Sequence, residues 1–392
     1  MNVARLAWAY LAARPLLTTL HVLMLAIGVG TMVLLLLFTA QTEERLARDA
    51  RPVDLVVGAK GSPLQLILSA VLQVDVPTGN IPYDEARKIA SHPMVAQAIP
   101  VSLGDSFRGF RIVGTETAYL DLYSAKPASG RLFQQEMEAV LGAEVARVAG
   151  IGTGAQIAGS HGLTAGGGTH SAHPYHVVGV LAPTGTVVDR LVLTTLESVW
   201  EVHDEHAATG TARREITALL LRYRTPLAAV TLPRLVNATT AMQAASPAYE
   251  TARLMNLVGV GAEVMRVFAI VLMGTAALSM FVALMSALQE RSHDLALLRT
   301  LGARPGTLFA LLAAEGVTLV VAGVILGLAL GHAAAEALGR WIARSNSWSI
   351  TGFAWVSQEG WLAAAVFAAG LATCLLPAIQ AYRRDPAILL KR

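Results

Sequence analysis

The chain has 392 residues, 54% of them hydrophobic and only 15% charged, with a net charge of +3 and a single cysteine. Soluble domains carry about 25% charged residues, so this balance argues against disorder and against a large soluble enzyme. The small net charge argues against a nucleic-acid partner despite the basic isoelectric point. Cys374 alone excludes an internal disulfide, a zinc ribbon or a paired-cysteine redox centre. What remains is a membrane protein.

A bilayer span needs about 20 mostly apolar residues. The first such stretch, 15–42, has no formal charge. It exceeds the roughly 7–15 apolar residues of a signal peptide, so it reads as an uncleaved anchor. The next 220 or so residues have soluble composition, with 18 basic and 20 acidic residues over 41–258. There, residues 54–59, 94–101, 175–181 and 216–223 are rich in β-branched types and predict strands. Residues 83–91 predict a helix, with Asp84 and Glu85 at its positive end and Pro93 just beyond it. Residues 197–205 and 227–240 also predict helices, and the glycine- and histidine-rich 150–176 predicts loops between strands. The segment 59–82 carries no charge between Lys60 and Asp75. It reads as core, or as a face laid on the membrane or on a second copy.

Residues 249–265 predict a helix running on into a second uncharged span, 267–289. A third span, 308–335, holds one acid, Glu315, and a fourth occupies 360–381. The expected fold class is therefore a membrane α-helical protein of four transmembrane helices. An α+β extracytoplasmic domain is inserted between helices 1 and 2. Arg5 and Arg14, then Arg291, Arg299 and Arg304, then Arg383, Arg384, Lys391 and Arg392 fall on one side of such a bundle, against Arg340 and Arg344 in the short loop opposite. Basic residues mark the cytoplasmic side, which places both termini there and the large insert outside. Within the spans, His21, Glu315 and His332 are the ionisable exceptions. Glu315 reads as lying near the cytoplasmic interface and pairing with a neighbouring helix. Gly28, Gly30, Gly274 and Ala277 offer sites for close helix packing.

The link between spans two and three reads QERSHDLALLRTLGARPGTL. Leu295, Leu297, Leu298 and Leu301 recur at helical spacing, with Arg291, Asp294 and Arg299 on other faces. Gly302 suits a helix C-cap and Pro305 restarts the chain. A short amphipathic helix at the cytoplasmic surface follows. It serves either as an interfacial linker or as a docking surface.

The string ERSHDLALLRTLGARP resembles the ERxxEIGxLRAxGA loop of the MacB/FtsX/LolC-type ABC transporter permeases, and PAIQAYRRDPAILLKR resembles their closing PAxxAxxxDPxxAL pattern. Glu315 falls where that family has a glutamate early in the following helix. The sequence departs from the pattern at His293-Asp294 and at Asp294-Leu-Ala. The resemblance implies a coupling helix seated in a separate P-loop ATPase, through Glu290, Arg291, Asp294, Leu295, Leu298, Arg299, Gly302 and Ala303. It implies three parts: residues 1–41 with the first span, a periplasmic domain 42–258, and an FtsX-like permease domain 259–392 with its coupling loop at 290–305. The periplasmic domain would divide into a membrane-proximal part, 42–101 plus 216–258, and an outer part, 102–215. It also implies an inner-membrane homodimer that converts ATP hydrolysis elsewhere into periplasmic movement, for export, efflux or lipoprotein release, with a periplasmic adaptor or lipoprotein among its partners. The alternative is an FtsX-like regulator of a periplasmic protein or cell-wall hydrolase. The chain has no GxxxxGK[S/T] phosphate loop, so ATP and magnesium belong on the partner subunit and this chain is not itself an enzyme.

Six of the ten histidines lie between His161 and His206. Imidazole suits zinc, copper and nickel. His161, His170, His173 and His176 lie around a Gly166-Gly167-Gly168 loop, and His203 and His206 are three apart on an expected helix. The two readings are a zinc-type site and a solvated polar loop. His203-Asp-Glu-His206 is not HExxH, and Ala158-Gly-Ser-His-Gly162 is not GxSxG, so neither a zinc protease nor a serine hydrolase is supported.

Overall fold

Among the described residues, four helices are long and apolar enough to cross a bilayer: Pro15–Ala50, Pro247–Glu290, Pro305–Ser345 and Ser357–Arg383. They are seen in a computed structural model that describes residues 3–161, 174–204, 214–290, 305–345 and 350–383. A short helix, Val3–Ala12, precedes them. The chain divides into two compact units, 1–42 with 258–392 and 43–257.

In the helical unit the third span packs on the first through a glycine ladder. A Cβ built on Gly323, Gly327 or Gly331 would stand 2.6–2.7 Å from Leu25, Val29 or Val33 in turn. No real side chain tolerates that, so glycine at every fourth position lets the two backbones approach. Gly28 fills the same need against Met273 of the second span, and Gly30 against the third. Gly274 faces open space. Val29, Val33, Leu37, Met280, Leu284 and Val320 are buried at the centre of this unit.

The inserted unit is α+β. Its strands are β1 (Leu55–Ala59), β2 (Ile81–Pro82), β3 (Val95–Phe107), β4 (Phe110–Thr115), β5 (Pro127–Gly130), β6 (Glu138–Leu141), β7 (Gln156–Ile157), β8 (Ser160–His161), β9 (Tyr175–Leu181), β10 (Leu191–Thr194), β11 (Glu215–Ile216), β12 (Ala218–Tyr223) and β13 (Met242–Ala245). Eleven strands form one mixed sheet in the order β13-β1-β12-β3-β4-β10-β6-β9-β5, with β7 on β9 and β8 on β3. The pairs β4/β10 and β6/β9 are parallel and the others antiparallel.

Two hydrophobic clusters serve this sheet. One gathers Leu55, Val57, Leu219 and Leu221 with Ile89 of the helix Tyr83–Ala90 and Leu232 of the helix Ala228–Thr239. The other gathers Ile112, Leu141, Val177 and Val192 with Val145 of the helix Ala143–Ala149 and Val202 of the helix Leu196–Asp204. The uncharged stretch between Lys60 and Asp75 is core along its helix: Pro63–Ala70, capped by Ser62, buries Leu66 and Ile67 completely, while Val74 and Val76 beyond it are exposed.

The four expected strands are present, with two differences. The second runs on to Phe107. The fourth breaks at Thr217, whose hydroxyl accepts the Leu103 N–H at 2.9 Å and donates to Asn80.

Candidate functional site

Of the ionisable residues of the spans, His21 and Glu315 are buried and His332 is partly buried. His21 follows two turns after Arg14 on the first span and is 6% exposed. Its Nδ1 lies 2.5 Å from the Leu17 carbonyl, which can only accept, so the proton sits on Nδ1. Nε2 is then free to accept from the Ser279 hydroxyl at 3.2 Å. Glu315 is also buried. Tyr10, Arg14, His21, Ser279 and Glu315 line one cavity of about 590 Å3 whose other walls are largely leucine. A second, more apolar cavity of about 460 Å3 lies on the far side of His21, bordered by Met273, Gly274 and Gly370.

A denser polar cluster sits where the third and fourth spans are joined. Nδ1 of His332 lies 2.6 Å from the Gly352 carbonyl and Nε2 lies 2.9 Å from Oε2 of Glu359. Glu359 is fully buried, and its Oε1 accepts the Val356 N–H at 3.0 Å. One turn along the third span, Glu336 accepts from the Gly352 N–H, the Thr351 hydroxyl and Arg340. Gln41, at the end of the first apolar stretch, exchanges two hydrogen bonds with the Thr351 backbone, each 2.9 Å. The connection therefore lies directly on the helices: a Cβ on Gly352 would meet the His332 carbonyl at 2.2 Å.

Sequence reasoning singled out His332 but missed Glu359, Glu336 and Gln41. Glu359 stands one residue before the fourth uncharged stretch, where an acid reads as a solvated boundary. The usable signal was Glu336 one helical turn after His332 and Arg340 one turn after that.

Two family models match the chain. The MacB-like periplasmic core domain matches residues 18–248, and the FtsX-like permease C-terminal domain matches residues 266–384. The first match alone covers more than half of the sequence. The chain belongs to the MacB/FtsX-type family of ABC permeases. Similar solved structures include the periplasmic region of MacB from Actinobacillus actinomycetemcomitans, at 12% identity over 54% of this chain and 98% of that one, with a TM-score of 0.36. The extracellular domain of the noncanonic ABC-type transporter YknZ from Gram-positive bacteria matches at 12% identity over 48% and 98%, with a TM-score of 0.31. No curated protein matches.

The permease is thus a multi-pass membrane protein with an extracytoplasmic domain between its first and second spans. The FtsX-like match contains the loop between the second and third spans. The second-span helix is described as far as Glu290. Arg291, Asp294, Leu295, Leu298, Arg299, Gly302 and Ala303 lie outside the described residues, as do His170, His173 and His206. His161 pairs in β8 with Asp105 of β3, and His203 lies in the helix Leu196–Asp204. His176 lies in β9, exposed, with Glu138 and Gln156 as its backbone neighbours on either side. Among the described residues no three His, Cys, Asp or Glu side chains are grouped to hold a metal ion.

Proposed function

We propose that this chain is the membrane subunit through which a separate P-loop ATPase moves an extracytoplasmic domain. The observation that carries this reading is the order of the two family matches, a MacB-like periplasmic core followed by an FtsX-like permease that contains the 289–308 loop. These 392 residues themselves contain no phosphate-loop motif. The basic residues flanking the spans support an inner-membrane orientation with both termini in the cytoplasm. In this reading two copies act with the ATPase, the 290–303 segment transmits its closure, and the work falls on an exported molecule or a lipoprotein.

The test is affinity purification in mild detergent, with bound proteins identified. A P-loop ATPase co-purifies with the natural chain and is lost with Leu298→Asp, which still inserts in the membrane. Recovery of no ATPase in any of several detergents, or equal recovery with Leu298→Asp, sinks the reading.

A further inference from the structure

The connection between the third and fourth spans exposes an unusual amount of aromatic surface. Phe353 is 87% exposed, Trp355 65%, Trp341 at the end of the third span 66%, and Trp361 in the first turns of the fourth 80%. A short connection that only has to turn the chain needs none of these rings. This one is also held rigidly from beneath. Glu359, His332, Glu336 and Gln41 bind its backbone at residues 351, 352 and 356. The Trp355 ring stacks on His332, with centroids 6.0 Å apart and planes 9° from parallel.

We propose that residues 350–356, with Trp341 and Trp361, form an anchor that inserts in the headgroup–acyl boundary of the membrane on the side carrying the inserted domain. Aromatic side chains favour that depth because their rings are apolar and, in tryptophan, carry one N–H that reaches polar groups. The patch lies at the end of two spans that carry other exposed apolar residues, Ile325 and Leu330 on the third and Phe367 on the fourth. Arg340 and Ser357 border it, so apolar surface gives way to polar over a few residues. That gradient is the profile of the interface itself.

The buried cluster explains how the rings stay in place. Both ring nitrogens of His332 are engaged, Nδ1 with the Gly352 carbonyl and Nε2 with Oε2 of Glu359, so the ring ties the connection to the fourth span. The ring meets Glu359 of the fourth span and Trp355 of the connection, while Glu336, paired with Arg340, holds the Gly352 N–H one turn along. Since Gln41 holds the same loop, the anchor fixes the depth of the first, third and fourth spans together at one surface.

The test uses full-length protein retaining only Trp355, its five other tryptophans replaced by phenylalanine. It is reconstituted in vesicles of phosphatidylethanolamine and phosphatidylglycerol with brominated acyl chains. The anchor requires blue-shifted Trp355 emission, quenched severalfold more by bromine near the headgroup than by bromine at the chain ends. His332→Gln in the same background releases the loop, weakens the shallow quenching and admits aqueous iodide. A protein retaining only Trp200 shows no lipid quenching and serves as the water-facing reference. Trp355 emission that iodide quenches and bromolipid does not in the unmodified loop overturns the proposal. So does protection from both quenchers that depends on protein-to-lipid ratio, because a second copy then covers the patch.

Discussion

The two units of this permease are packed by opposite means. In the inserted unit, Leu55, Leu66, Ile67 and Leu221 are fully buried, and each is driven inward because water disfavours apolar surface by about 25 cal/mol per Å2. In the helical unit, Phe268 is 61% exposed and Leu278 63%, at no cost where the surroundings are lipid. What holds the spans is close approach: the glycines at 323, 327 and 331 against Leu25, Val29 and Val33. Large apolar residues therefore report the core of the inserted unit but both core and surface of the helical one, where glycine marks the closest contacts.

The sharpest way to break this contrast is Gly327→Leu. Its Cβ would stand 2.6 Å from the Val29 Cβ and 3.0 Å from the Ala26 carbonyl, so the first and third spans have to separate. The expected result is loss of the monodisperse permease peak on size-exclusion chromatography in detergent. Gly274→Ala, with nothing within 4 Å of the new methyl, should elute and melt as the natural protein does. Equal behaviour of the two variants would remove the ladder as the basis of packing.

A leucine deletion separates the units next. Leu66→Ala empties a fully buried site against β1 and should cost about 2–5 kcal/mol, read by denaturant unfolding followed through Trp200 in the inserted unit. Phe268→Ala removes a larger side chain from an exposed face of the second span and should change stability by less than about 0.5 kcal/mol. Comparable losses at both positions would mean that Phe268 is covered by protein rather than lipid.

Legibility followed the same division. The spans were readable because a bilayer demands length and lack of charge, and the helix Pro247–Glu290 was expected as one piece. The strand at 175–181 was legible to the residue because its two ends carry turn residues. By contrast, β4, β6, β10 and β13 were missed. They are four to six residues long and lie among other apolar runs, where periodicity does not separate strand from buried helix. Gly323, Gly327 and Gly331 went unnoticed as a set because glycine inside a helix first reads as a weakness. The His332–Glu359 contact joins residues 27 apart across a turn, and nothing in local spacing reports it.

The smallest expected effect comes from an ion pair of the inserted unit whose arginine is half exposed and whose carboxylate is buried. Both oxygens of Glu138 receive the Arg131 guanidinium, and Oε2 also accepts the Gln134 and Gln135 N–H groups. Arg131, followed by these N–H groups, holds the Glu138 carboxyl down at about 2 from an ordinary 4.5. A lowered folded-state value stabilises above the unfolded value and loses that contribution as pH falls through the folded one. The window is therefore pH 4.5 to about 2. Arg131→Gln should lower the melting temperature slightly at neutral pH, because the arginine is half exposed and water screens the pair. The gap to the natural chain should close across that window. A gap that persists below pH 2 would assign the effect to packing of the arginine stem. His332–Glu359 has the same chemistry with its carboxylate fully buried. Removing His332 leaves that buried carboxyl with only the Val356 N–H, so the loss should exceed that at Arg131 severalfold. The two pairs thus restate the contrast between the units in charge rather than in apolar area.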